Sequence, residues 1–231
     1  MTEAKGKLYL VATPIGNMED ISIRALRTLR KASFIAAEDT RHTRKLLARY
    51  KIRQTLLSYH DFNKSRVAPE IIRRIASGES VALVSDAGSP GISDPGFLLV
   101  KLAIAEGIDV IPIPGASSVI CALQISGLAT HNFAFEGFLP RKKGKRRAKF
   151  ESLKLEERTM IFFESPNRIR ATAAEMLEIL GDRKIAVCRE LTKLFEEVLR
   201  TRLSELEKLL SKREIRGEVV LVVEGRVATK T

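Results

Sequence analysis

Three short segments of the 231-residue chain gather residue types that can surround a ligand. They are Thr13-Pro14-Ile15-Gly16-Asn17, Asp86-Ala87-Gly88-Ser89-Pro90-Gly91-Ile92-Ser93-Asp94-Pro95-Gly96, and Pro114-Gly115-Ala116-Ser117-Ser118. Gly88, Gly91 and Gly115 allow a backbone to approach a bound molecule closely, and Ser89, Ser117 and Ser118 add hydroxyls. The phosphate-binding loop Gly-x-x-x-x-Gly-Lys-Ser/Thr is absent, and no Gly-x-Gly-x-x-Gly follows the first apolar run. The loops carry the carboxylates Asp86 and Asp94 and no lysine. They therefore suit a neutral or cationic ligand better than a phosphate. Singly, each is also explained as turn punctuation with helix-capping Ser and Asp. Three together, each after an apolar run, point to one site.

A fourth segment, Glu38-Asp39-Thr40-Arg41-His42, mixes acids, a base and a cation within five residues. Asp39 or Thr40 equally suits a helix cap. Ser58-Tyr59-His60-Asp61-Phe62-Asn63 offers another imidazole between two aromatics. Tyr59 and Phe62 fit either a base-stacking platform or the local core, and the core is preferred. His42, His60 and His131 are too scattered to suggest a metal site, so no metal is required.

The elements that must position these segments read as follows. Lys7–Ala12, Ser33–Ala37, Thr55–Tyr59, Ser80–Ser85 and Asp109–Ile113 are short apolar runs and predict strands. Helices are predicted over about 21–31, from 39 or 40 to about 50, over 69–77, 98–105 and about 115–126. Strands that alternate with helices, and are apolar on both sides, predict a mostly parallel sheet with helices on both faces. Around 127–150, Gly127, Gly137, Pro140 and a run of basic residues make a break. The expected division is an N-terminal α/β domain over 1–126 and a C-terminal α/β domain over 127–231. In the latter, strands are predicted at 159–163, 185–188 and 219–223, and helices at about 167–180 and 203–212. Residues 189–202 are ambiguous.

The formal charge is +12, and residues 141–149 alone contribute seven cations: Arg141, Lys142, Lys143, Lys145, Arg146, Arg147 and Lys149. Such a run suits a polyanion, or else a solvated helix start or linker. A second basic set, Arg41, Arg44, Lys45, Arg49, Lys51 and Arg53, reads by itself as a solvated helix face. With 45% hydrophobic and 29% charged residues the chain is not mainly disordered. Two cysteines, Cys121 and Cys188, exclude a disulfide framework and suggest buried thiols in a reducing compartment. No apolar run approaches the roughly 18 residues of a membrane span, and the N-terminus lacks signal-peptide order. A cytoplasmic protein is expected.

The blocks LYLVATPIGN (8–17), AEDTRHTRKLL (37–47), VSDAGSPGISDPG (84–96), IPGASS (113–118), FEGFLPR (135–141) and FFESPNR (162–168) resemble the ribosomal RNA methyltransferases of the tetrapyrrole methylase superfamily over about 8–225. The resemblance implies a two-domain fold with the donor in the cleft between domains, S-adenosylmethionine as that donor, and a homodimer. It implies 2′-O-methylation of a cytidine ribose in the decoding region of small-subunit (16S) ribosomal RNA, with free rRNA or the 30S particle as substrate. Carried residue by residue, the donor contacts fall on Pro14, Ala87, Gly88, Ser89 and Ile92, with Asp86 beside them, then on Ser117 and Ser118, and in the second domain on Phe163 and Leu191. Ser89 stands where the tetrapyrrole enzymes have Asp. A small-molecule, tetrapyrrole-like methylase sharing the donor site is the alternative, against which the basic run counts. A protein that kept the fold to bind RNA without catalysis is a third reading, against which the intact loops count.

A ribose hydroxyl is a weak nucleophile and is helped by a proton acceptor or a polarising cation. Asp39 or Glu38 is expected to position or deprotonate it, while Arg41 holds the adjacent phosphate. Arg141, Lys142, Lys143, Lys145, Arg146 and Arg147 are expected to contact phosphates from a loop that is mobile without RNA.

Overall fold

The computed structural model describes residues 5–211 and 215–226. The chain divides into two compact units, the first ending at Ser117 and the second beginning at Ser118, nine residues ahead of the boundary expected after residue 126. The last helix predicted for the N-terminal domain thereby groups with the second unit.

The first unit alternates β1 (Leu8–Val11), α1 (Ile23–Lys31), β2 (Phe34–Ala37), α2 (Thr40–Arg49), β3 (Leu56–Ser58), α3 (Lys64–Ala76), β4 (Val81–Val84), α4 (Gly96–Ala105) and β5 (Val110–Ile113). All five strands run parallel in the order β3-β2-β4-β1-β5. Every residue of β2 and β4 is buried, as a sheet covered on both faces requires. Alternation along β2 sends Phe34 and Ala36 into a core with Val67, Ile71 and Leu99. It sends Ile35 and Ala37 into the opposite core with Ala25, Leu29 and Leu46. Ser22 caps α1 by accepting the Ala25 N–H at 3.1 Å. Helix α3 begins five residues before the prediction, and Pro69 lies inside it.

The second unit runs α5 (Ser118–Ser126), β6 (Phe133–Phe138), α6 (Lys143–Ser152), β7 (Thr159–Glu164), α7 (Ile169–Leu180), β8 (Lys184–Arg189), β9 (Glu197–Arg202), α8 (Leu203–Ser211) and β10 (Val219–Val223). Its mixed sheet has the order β6-β7-β10-β8-β9, parallel only between β6 and β7. One face packs Phe162, Val187 and Leu221 against Phe150, Met176 and Leu206 of α6, α7 and α8. On α5, the Ala122 carbonyl accepts from the Cys188 thiol at 3.8 Å, and burial pushes that thiol up to about 12.

Two expectations are corrected here. The break at 127–150 contains strand β6, and the basic segment expected as a mobile loop is helical from Lys143 onward. The ambiguous stretch 189–202 turns a β8–β9 hairpin in which Arg189 pairs with Glu197.

Candidate active site

Because β4, β1 and β5 are adjacent and parallel, the turns leaving them emerge side by side at the carboxyl edge. Thr13 and Gly88 exchange backbone hydrogen bonds, Thr13 N–H to Gly88 O at 2.9 Å and Gly88 N–H to Thr13 O at 3.1 Å. Gly88 does so at φ +78°, a conformation that side chains resist. The third turn is seated on the same spot. A Cβ on Gly115 would lie 3.0 Å from the Ala12 Cβ, and one on Gly88 would lie 3.8 Å from the Ala116 carbonyl. The first three segments singled out in the sequence are thus one surface, and among them Pro14, Asp86, Ala87, Gly88, Ser89 and Ile92 stand on joined turns. Ser117 ends this unit and Ser118 opens α5.

The turn after β2 joins the turn after β4. The Asp39 N–H donates to Asp86 Oδ1 at 3.0 Å, and the Asp86 N–H donates to Glu38 Oε2 at 3.4 Å. Asp39 caps α2, accepting the Arg41 N–H at 2.8 Å, and also receives the Arg41 guanidinium at 3.0 Å. Those Arg41 contacts hold its carboxyl at about 2, so it is a weak base. Glu38 is different: loss of solvent raises its carboxyl, with the Asp86 N–H opposing and the Asp86 and Asp61 charges adding.

Asp94 carries the largest displacement here. Burial, then the Glu38 charge, push it up to about 7; Ser85 opposes, and Asp86 and Asp61 add. It follows Ser93, held at φ +67°, a strained conformation of the kind that gathers at functional turns. The sequence marks Asp94 only as a charge in a Pro/Gly turn, because its carboxylate neighbours come from other turns.

In the Tyr59–Phe62 segment, Tyr59 is wholly buried while Phe62 is 99% exposed. Core therefore describes Tyr59 alone and is corrected for Phe62. The His60 Nδ1 is buried without a hydrogen-bond partner among the described residues.

In the second unit, the Phe163 ring meets Phe135 edge-on at 5.0 Å and Phe138 at 5.1 Å. Leu191 is buried between Glu190 at φ +50° and Thr192 at φ +64°. Of the basic residues, Arg146 is turned inward. Its Nε and Nη2 donate to Glu175 at 2.8 and 2.7 Å, with side-chain exposures of 7% and 8%. That burial corrects the expectation that Arg146 contacts phosphate. Arg147 donates to Glu178 at 2.6 Å, and Lys149 pairs with Glu136. Arg141, Lys142, Lys143 and Lys145 are exposed and form no ion pair among the described residues. No helix among the described residues is long and apolar enough to cross a membrane.

A five-stranded parallel sheet followed by a five-stranded mixed sheet is a fold found among methylases of known structure. The family model for tetrapyrrole (corrin/porphyrin) methylases matches residues 7–207. The chain belongs to this family. It is 53% identical over 96% of its length to the ribosomal RNA small subunit methyltransferase I of Halalkalibacterium halodurans, covering 76% of that protein. It is 48% identical over 96% of its length to the protein of the same name from Thermotoga maritima, covering 99%. Among solved structures, uroporphyrin-III-C-methyltransferase from Thermus thermophilus superposes with a TM-score of 0.68 at 22% identity, covering 95% of this chain and 94% of that one. The same enzyme complexed with S-adenosyl homocysteine gives 0.67 at 21% identity, covering 95% and 97%. These two likenesses concern the fold.

Proposed function

We propose that this protein transfers the methyl group of S-adenosylmethionine to small-subunit ribosomal RNA, at the 2′-hydroxyl of a cytidine ribose in the decoding region. The observation that carries the reading is the Thr13–Gly88 bridge, against which the Gly115 turn is seated, with Asp86 and Asp94 in the joined turns and Glu38 bonded to Asp86. Turns without a lysine and with the carboxylates Asp86 and Asp94 suit a sulfonium cation. The nucleic-acid half rests on the named relatives and on the exposed cations Arg141, Lys142, Lys143 and Lys145.

Pro14, Asp86, Ala87, Gly88, Ser89, Ile92, Ser117 and Ser118, with Phe163 and Leu191, are the proposed donor contacts. Gly115→Val puts a branched side chain against Ala12, an overpacking of about 1–3 kcal/mol. It is expected to weaken donor binding ten- to hundredfold by calorimetry. Unaltered binding heat would remove the joined turns from the donor site.

S-adenosylmethionine supplies a methyl on positively charged sulfur, which leaves as a neutral thioether once the ribose oxygen takes the methyl. Glu38 accepts the hydroxyl proton as the oxygen–carbon bond forms, since its raised carboxyl is a better acceptor than Asp39. Asp39 caps α2 and holds Arg41, which is exposed enough to meet the neighbouring phosphate. Glu38→Gln is expected to lower turnover at least a hundredfold with donor affinity within threefold. Parallel losses in both would make Glu38 structural.

A second copy of the chain completes the proposal. Helix α4 turns Phe97 and Ile104 to solvent, seven residues apart on one face. Light scattering should return twice the chain mass, and the single-chain mass would refute the dimer.

The deciding experiment is incubation with methyl-labelled donor and either 30S particles, free 16S RNA or a porphyrinogen. Label in a ribose of small-subunit RNA is expected. Label in the porphyrinogen alone would make the protein a small-molecule methylase, and donor binding without transfer to any of the three would end the enzyme assignment.

A further inference from the structure

Between Asp39 and Asp61 the chain holds six lysines and arginines and no acid. Arg41 is turned back onto Asp39. The other five, Arg44, Lys45, Arg49, Lys51 and Arg53, are exposed and make no ion pair among the described residues. They follow α2 away from the joined turns for about 15 Å, the length of a ten-residue helix. At its far end lies a cavity of about 610 Å³ with Leu47, Ile52 and Leu56 in its wall and Arg44, Lys51 and Arg53 among its lining residues.

The backbone holds the cations around that apolar wall. Lys51 closes α2 at φ +53°, its N–H donating to Ala48 O at 3.1 Å, while the Ile52 N–H donates to Leu47 O at 2.9 Å. A glycine is the ordinary occupant of such a left-handed helix end. The lysine keeps a charge at the cavity where a glycine would be easier to fold.

We infer that this groove is a second RNA-contact surface, taking an unpaired nucleotide with its base against the half-buried Leu56 and the outer edges of the buried Leu47 and Ile52, and its flanking phosphates on Arg44, Lys51 and Arg53. An apolar floor with cations around it complements a base flanked by two phosphates. The cations form no ion pair among the described residues, so a polyanion releases its counterions against them without breaking an existing pair. The inference rests on the RNA reading of the function, because the same turns that open α2 belong to the proposed site.

The test is binding of a fluorescein-labelled, 4-thiouridine-containing single-stranded RNA 20-mer of mixed sequence to the full chain between 50 and 200 mM KCl. Three proteins are compared: the unaltered chain, Arg44→Ala with Lys51→Gly and Arg53→Ala, and Lys142→Ala with Lys143→Ala and Lys145→Ala. Losing three phosphate contacts should lower the salt slope by about 2, at roughly 0.7 per contact, and crosslinks should map to residues 44–56. Lys51→Gly alone should weaken RNA binding while leaving the melting temperature equal or higher, which a merely structural lysine would not do. If the unaltered chain binds and the basic-run variant weakens, but the α2 variant keeps the full slope, this inference falls and an acidic protein segment becomes the better occupant. If the unaltered chain binds no RNA, the proposed substrate falls and this surface with it.

Discussion

Replacing Glu175 by alanine lowers the stability of the protein by about 3–5 kcal/mol. The Arg146 guanidinium sits inside the second unit, held by both Glu175 oxygens and nearly closed to solvent. Removing the carboxylate leaves a buried charge without its counter-ion, and the protein must unfold locally or admit water to hydrate it. Replacing both partners by methionine costs far less, since a buried pair exchanged for apolar side chains of similar volume is often neutral. Urea unfolding of the two variants checks the pair. A Glu175→Ala midpoint within experimental scatter of the unaltered protein would mean that solvent reaches the guanidinium. Glu178→Ala, which breaks the neighbouring and more exposed pair with Arg147, should leave the midpoint unchanged.

Asp94→Asn should abolish the loss of stability that Asp94 causes with rising pH at the carboxyl edge of the first sheet. The unfolded carboxyl titrates near 3.8 and the folded one at about 7, so the folded state holds this proton more tightly. Its contribution is complete below the unfolded value and is lost as pH rises through 7. The full difference corresponds to roughly 4 kcal/mol, which solvent at this partly buried group reduces to about 2 kcal/mol. Asparagine keeps the shape without the charge. The variant is expected to match the parent at pH 4 and to exceed it by about 2 kcal/mol at pH 8. Parallel unfolding curves from pH 4 to 8 would show that Asp94 is already ionised throughout. The donor reading adds a second consequence: a bound cation favours the ionised carboxyl, so donor affinity should rise across pH 7 in the parent and stay flat in Asp94→Asn.

Much of the first unit was legible in the sequence because its strands are short, apolar on both faces and bounded by Gly, Pro or a cap. The Ser33–Ala37 and Ser80–Ser85 runs became the fully buried β2 and β4. The second unit was harder. Phe133–Phe138 reads as a break because Gly137 interrupts it, yet Gly137 at φ +68° falls where the β6–β7 register shifts. A glycine in a strand marks a bulge as readily as an end. The basic run is hard to read for another reason: its charges suggest solvent, but Phe150 and Arg146 turn to one side and anchor the helix on α7.

Sequence alone determined that short, wholly apolar runs would stack into a covered parallel sheet, and that loops rich in Gly, Ser and Asp would follow them. Those are local properties, decided by burial and backbone freedom within a few residues. Only the tertiary structure decided which charges are free. Arg146 and Arg147 stand side by side in the chain, yet the first is sealed against Glu175 and the second pairs with Glu178 near the surface. Asp39 and Asp94 are both acids in turns, yet one is held at about 2 and the other pushed up to about 7. Proton affinity depends on what distant segments bring within a few ångströms, and the spacing of residues along a chain does not carry that information.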